Sequence, residues 1–228
     1  MFLYSAFETA KHLVAHPMGR SSKVLEALFT PPMPAAYMFG AKEIKAMLHV
    51  ITRLNKEYHR PTWNIPTTLV EGKEYNILYE VVESKPFCNL LHFRKKDYRG
   101  PKLPTLLLVA PMSGHYPTLL RDTVKRLLPT HDVFITEWVN ARDVPIFFGE
   151  FSLGTYVNYL IEFLQLLHKA GRVTHIMSVC QPTVPSLIAQ SIMAENNDPA
   201  LARSMIMIGG PIDARKSPTA VTLSLIHI

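Results

Sequence analysis

A chain of 228 residues with 48% hydrophobic content carries enough apolar material for one large or two small buried cores, and its two cysteines, Cys88 and Cys180, make no disulfide framework. That cysteine usage favours a reducing compartment, the cytoplasm by default, and no apolar run reaches the roughly 18 residues of a membrane span. The formal charge of +6 does not indicate nucleic acid, because basic clusters such as Arg94, Lys95 and Lys96, or Arg99 and Lys102, lie beside turns as a solvated rim and no recognised nucleic-acid motif accompanies them.

Residues 2–16 place Phe2, Leu3, Ala6, Phe7, Ala10, Leu13 and Val14 at three- and four-residue spacing, an amphipathic helix that Pro17 ends. Glu8, Lys11, His12 and His16 interrupt it, so Met1 to Met18 lacks the apolar core of a signal peptide. Helical runs follow at Ser22 to Phe29 and Ala41 to Tyr58, separated by Pro31, Pro32 and Pro34. Residues 1–62 thus read as a helical extension. Its apolar face either caps the core of the next domain, the commoner use of such helices, or docks on a hydrophobic particle or partner.

From Trp63 the pattern changes to strands. Tyr75 to Val82 and Phe87 to Phe93 predict an antiparallel hairpin with Glu83 to Pro86 as its turn. Leu106 to Ala110, bounded by Pro104 and Pro111, is a continuous apolar run, as expected of a strand covered on both faces. A helix from Thr118 to Leu128, a strand from Val133 to Val139, a helix from Thr155 to Ala170 and a strand from Thr174 to Val179 then alternate. A helix from Pro182 to Ala194 and a strand from Ser204 to Ile208 complete the pattern. Repeated alternation after an antiparallel start argues for an α/β sheet with parallel central strands over residues 63–222.

In such sheets the ligand lies at the carboxyl ends of the strands. Three loops converge there: Pro111 to Tyr116, Val139 to Glu150, and Cys180 to Pro182. The last has the layout of a nucleophile elbow, strand then sharp turn then helix, with Cys180 at the turn. Ser178 and Pro182 stand where the usual G-x-S-x-G pattern has glycines; Ser178 is small, and Pro182 suits a first helical turn. Cys180 is therefore either a reactive thiol or an inert core cysteine. If it reacts, the oxyanion donors are the backbone N–H groups of Met112, with Ser113 as second choice, and of Gln181 directly after the nucleophile. The ten scattered histidines form no metal-ligand spacing, and no metal or cofactor site is expected.

The chain resembles the intracellular polyhydroxyalkanoate depolymerases. The resemblance is carried by Lys-Pro-Phe-Cys from Lys85, Ala-Pro-Met-Ser-Gly-His from Ala110, Thr-Leu-Leu-Arg-Asp-Thr-Val from Thr118, Ser-Val-Cys-Gln-Pro-Thr-Val-Pro from Ser178 and Gly-Gly-Pro-Ile-Asp-Ala-Arg-Lys-Ser-Pro-Thr from Gly209. It runs from the amino terminus to about Val221. It implies an α/β-hydrolase, cytoplasmic and associated with storage granules of poly(3-hydroxybutyrate), whose nucleophile is Cys180. The thiolate would cleave the polyester through an acyl-thioester, giving 3-hydroxybutyrate monomers or oligomers, with water or coenzyme A as acceptor. Two rivals are a synthase-like acyltransferase, disfavoured because the G-x-C-x-G glycines are absent, and a non-catalytic granule-coating protein.

The resemblance also implies that the triad acid and histidine lie further along than residue 228. His227 receives no role, His115 precedes the nucleophile, and Asp213 reads as a turn residue pairing with Arg215. Leu223 to Ile228 resembles the translation of a transposase mosaic-end adapter, so residues 223–228 are expected to be a non-native tail on an incomplete α/β-hydrolase. Such a fragment is expected to be poorly soluble and inactive.

Overall fold

The computed structural model describes residues 24–54, 61–112, 116–141, 144–213 and 215–216. The chain divides into two compact units, Met1–Arg60 and Pro61–Ile228. The helix expected over residues 2–16 and the tail 223–228 lie outside the described residues.

In the first unit, a helical stretch over 24–28 is followed by a 3₁₀ turn, Pro34–Tyr37, and by α1, Ala41–Leu54. His49 Nδ1 lies 2.9 Å from Glu26 Oε1. Phe39, Met47 and Val50 are exposed.

The second unit is built on a seven-stranded sheet of order β1-β2-β3-β5-β4-β6-β7. Its strands are β1 (Thr67–Val70), β2 (Lys73–Lys85), β3 (Cys88–Lys95), β4 (Thr105–Val109), β5 (Asp132–Trp138), β6 (Thr174–Val179) and β7 (Met205–Ile208). The pairs β1–β2, β2–β3 and β3–β5 are antiparallel, whereas β5–β4, β4–β6 and β6–β7 are parallel. The parallel strands are linked by α2 (Arg121–Leu127), α3 (Leu153–Lys169) and α4 (Thr183–Glu195). The parallel central strands are those the alternation predicted, and the strand order and connections are those of the α/β-hydrolase fold that the resemblance implies.

Two local expectations are corrected. The hairpin turns at Pro86 and Phe87 rather than over Glu83 to Pro86, because a bulge between Val81 and Glu83 lets β2 continue in register to Lys85. A further strand, β1, precedes it, joined through Glu71 and Gly72 at φ 49° and 80°. Positive φ at both central residues is the tight hairpin geometry whose twist matches its strands.

Every residue of β4 is buried, since both sheet faces are covered. On one face Leu91, Phe93, Leu108, Val133 and Ile135 pack with Val124 and Leu128 around α2. On the other, Leu90, Leu107, Val109 and Phe134 pack under α3 and α4. The α3 helix begins in a reciprocal cap between Ser152 and Thr155 and is followed by Gly171 at φ 69°. Its buried stripe, Tyr156, Val157, Leu160, Phe163, Leu164 and Leu167, repeats at helical spacing.

Candidate active site

Strand order reverses across β4 and β6. The chain leaves β4 through α2 to reach β5 on one side, and leaves β6 through α4 to reach β7 on the other. Between two such strands the departing connections diverge and open a crevice at their carboxyl ends, the usual ligand position in these sheets. The residues that follow β4 and β6 there are Ala110 to Met112 and Cys180 to Pro182.

Cys180 occupies the turn at φ 68°, in the left-handed region, and is exposed. A non-glycine residue there carries local strain, so the surrounding bonds must fix it. The Cys180 N–H donates to the Ile208 carbonyl at 2.7 Å, extending the β6–β7 ladder past the strand end. Its own carbonyl accepts from both the N–H and the hydroxyl of Thr183, at 3.2 and 2.9 Å. The thiol is thereby presented at a fixed point ahead of α4.

The residues replacing the elbow glycines are accommodated in different ways. Ser178 is fully buried, and its hydroxyl donates to Ser186 Oγ at 2.6 Å, so the strand and α4 meet through a satisfied polar pair. Pro182, at φ −70°, serves as the N-cap residue of α4. Close approach is instead required of Gly210: a Cβ there would stand 1.6 Å from Thr183 Oγ1. Gly210, Thr183 and Ser186 support the elbow without having been singled out from sequence. Gly-Gly after an apolar strand was their one visible signal.

The loop after β4 is fixed from β5. Thr136 Oγ1 accepts the Ala110 N–H at 2.9 Å, and Trp138 Nε1 donates to the Ala110 carbonyl at 2.8 Å. Two residues on, the Met112 N–H donates to Gln181 Oε1 at 3.3 Å. The three predicted site residues are thus brought to one crevice, with a side chain of the elbow resting on the Met112 amide. Ser113, Gly114 and His115 lie outside the described residues. The third loop presents Ile146, Phe147 and Phe148, all exposed, ahead of the exposed Leu153.

The two cysteines have opposite environments. Cys88 is wholly buried in β3, and burial pushes its thiol well above its ordinary pKa, which leaves it protonated and inert. Asp213 forms a two-point pair with Arg215, at 2.9 and 3.0 Å, and its carboxyl is held below its ordinary pKa by that hydrogen bond.

Within this unit, the described histidines lie toward the other end of the sheet. His131 precedes β5, His168 is in the last turn of α3, and His175 is the second residue of β6. His92 is level with Phe134, Leu107 and Ile176 across the sheet, four residues below Cys180 and three strands away. That is about 13 Å along the strands and about 14 Å across them.

No protein-family model and no curated protein matches the sequence. Among solved structures, an esterase from Rhizomucor miehei is 12% identical with a TM-score of 0.48, covering 68% of this chain and 50% of its own. An α/β-hydrolase enzyme from the metagenome of Lake Arreo is 10% identical with a TM-score of 0.47, covering 90% and 62%. A hyperthermophilic esterase from the archaeon Pyrobaculum calidifontis is 13% identical with a TM-score of 0.46, covering 88% and 60%. The chain therefore spans between half and about three-fifths of the length of these proteins.

Proposed function

We propose that this chain carries the nucleophilic part of an ester hydrolase, an intracellular depolymerase of poly(3-hydroxybutyrate) acting through Cys180. One observation carries the reading: an exposed thiol held at φ 68° between a parallel strand and a helix, across the sheet's crevice from the Met112 amide. A left-handed cysteine fixed by three backbone-directed hydrogen bonds is a geometry that core packing does not require.

The Cys180 thiolate attacks the ester carbonyl carbon, and the carbonyl electrons collect on oxygen as a tetrahedral oxyanion. The N–H groups of Met112 and Gln181 stabilise that oxyanion, one from each side of the crevice. Collapse breaks the C–O bond, the shortened chain leaves as an alcohol after taking a proton, and an acyl-thioester remains on Cys180. Water then attacks the thioester, releasing the 3-hydroxy acid and restoring the thiol. The proton carrier this sequence needs is a histidine oriented by a carboxylate, as the resemblance implies. No cofactor enters; coenzyme A in place of water would make the second step a thiolysis.

An apolar polyester suits the surroundings, since Ile146, Phe147, Phe148 and Leu153 stand exposed at or after the loop from the carboxyl end of β5. Exposed Phe39, Met47 and Val50 in the first unit supply further apolar surface for a storage granule. A protein that joins this chain to the triad histidine and acid should release soluble 3-hydroxybutyrate from amorphous poly(3-hydroxybutyrate), with an acyl adduct on Cys180 in the intact mass spectrum. Cys180→Ala should remove both signals. Undiminished release by that variant sinks the reading, and polymer growth from hydroxybutyryl-coenzyme A would favour the synthase instead.

A further inference from the structure

A second recess lies at the amino-terminal ends of β4 and β5, at the opposite edge of the sheet from Cys180, with a volume of about 490 Å³. We propose that it binds a phosphorylated small molecule. This inference stands independently of the esterase reading, because it uses none of the same residues.

The basic clusters that look like a scattered rim in the sequence converge here. Lys95 ends β3, Arg99 and Lys102 come from the loop to β4, and Arg172 comes from the turn between α3 and β6; all four line the recess. The loop that presents Arg99 and Lys102 has a defined shape. Tyr98 donates to the Pro101 carbonyl at 3.0 Å and sets its ring 5.2 Å from that of Tyr75. Its ring and hydroxyl fill the space beside Gly100, where a Cβ would lie 2.5 Å from Tyr98 Oη.

These cations outnumber the carboxylates that could neutralise them. Asp132 is already shared: His92 Nε2 lies 2.7 Å from one of its oxygens, and the Arg172 guanidinium binds the other. Asp97 is the other acid of the lining. Lys95 is 7% exposed, yet its ammonium donates to the His131 carbonyl at 2.7 Å. Lys102 donates to the Gly171 carbonyl at 2.5 Å. A backbone carbonyl satisfies a donor but cancels no charge. Among the described residues, neither lysine has a carboxylate within 4.0 Å.

Burial penalises the Lys95 ammonium and lowers its pKa, and the charge of Asp132, already shared between His92 and Arg172, offsets this only in part. An anion entering the recess would relieve that cost. A phosphate group supplies two charges and several acceptor oxygens, suited to a guanidinium fork flanked by ammonium groups. The recess falls within the roughly 300–1,000 Å³ of small-molecule sites. Its concave shape favours a compact soluble ligand over a flat membrane or an extended nucleic-acid strand.

The test is calorimetric titration of pyrophosphate into the protein at near-physiological salt. One saturable site is expected, weakened by roughly tenfold or more in the Arg99→Ala/Lys102→Ala double variant, since charge-assisted hydrogen bonds are lost. Both residues are exposed, so the variant should melt with the wild type. Cys180→Ala should bind pyrophosphate as the wild type does, which separates this site from the esterase reading. Parallel arms use inorganic phosphate, vesicles containing phosphatidylglycerol, and a single-stranded oligonucleotide. No saturation, equal binding by the double variant, or preference for the vesicles or oligonucleotide over pyrophosphate would overturn the proposal.

Discussion

The two ends of the central sheet differ in the way their chemistry is built. At the carboxyl ends, around Cys180, the organising forces are backbone hydrogen bonds and close steric contact, and the exposed side chains nearby are largely apolar. At the amino ends, His92, Asp132 and Arg172 form a charged network, with His92 stacked flat on Phe134 at 4.1 Å and Arg172 4.8 Å from the same ring. A histidine hydrogen-bonded to a carboxylate is what a catalytic site would contain, and here it stands at the wrong end. Strand direction, rather than the residue types in a cluster, therefore decides which end of this molecule suits the chemistry proposed for Cys180.

The sharpest way to break that contrast is to exchange losses between the ends. In a protein that joins this chain to the triad histidine and acid, Cys180→Ala should reduce ester hydrolysis by about 10³-fold or more, as removal of a covalent nucleophile does. His92→Asn should leave turnover per folded molecule unchanged, measured on the same soluble ester. A comparable collapse in the His92 variant would mean that the amino-end pair takes part in the reaction.

The next largest effect is expected from a residue with no chemistry of its own. In Gly210→Ala the new methyl group meets Thr183, so either α4 or the residues after β7 must move, at a cost of about 2–3 kcal/mol. Movement of β7 would strain the Cys180 N–H bond to Ile208, so activity should fall further than the loss of folded protein explains. Thermal melting together with activity per folded molecule separates the two effects. The paired substitution Gly209→Ala meets no neighbour, though its φ of 62° makes it mildly strained, and it should cost less.

These cases show what could be read from the chain. Strand and helix alternation from Leu106 onward was legible because β4 is an unbroken buried run and α3 repeats its apolar residues at helical spacing. The elbow was legible as strand, turn and helix even without glycines. What keeps Ser178 acceptable was not, because the partner hydroxyl of Ser186 comes from the facing turn of α4. The anchoring of Ala110 by Thr136 and Trp138 likewise depends on β5 lying beside β4, a register that periodicity does not specify. Four of the five basic residues read as a solvated rim, Arg94, Lys96, Arg99 and Lys102, are exposed, but the recess that some of them share with Arg172 was not legible because Lys95 and Arg172 are 77 residues apart and meet only through topology.

At the amino end the corresponding test is electrostatic. Burial alone would raise the Asp132 pKa, but its hydrogen bond and charge interaction with His92, and those with Arg172, lower it further than burial raises it. A carboxyl whose folded pKa lies below its unfolded one contributes stability that is fully present above the unfolded value and lost as pH falls through the folded one. Asp132→Asn should cost about 2 kcal/mol near neutrality, less than the roughly 3–5 kcal/mol of a fully buried pair because part of the network meets solvent. The melting difference between the variant and wild type should shrink as pH falls from the ordinary carboxylate range through the lowered folded pKa of Asp132, where the carboxylate advantage titrates away. A difference that persists undiminished there would assign the effect to packing against Phe134 instead.

The smallest expected effect bears most directly on how the crevice works. Gln181 Oε1 accepts from the same Met112 amide that would hold an oxyanion, so the carboxamide oxygen stands where the substrate oxygen must arrive. Displacing it forfeits one neutral hydrogen bond, about 0.5–1.5 kcal/mol. Gln181→Ala keeps the backbone N–H of residue 181 and removes the competitor, so kcat/KM should rise by roughly twofold to tenfold, the factor that energy corresponds to. If Gln181 instead holds the Met112 loop in place for reaction, the same substitution would lower kcat with little change in KM. Steady-state kinetics on a short soluble ester distinguishes a crevice that is plugged at rest from one that is braced.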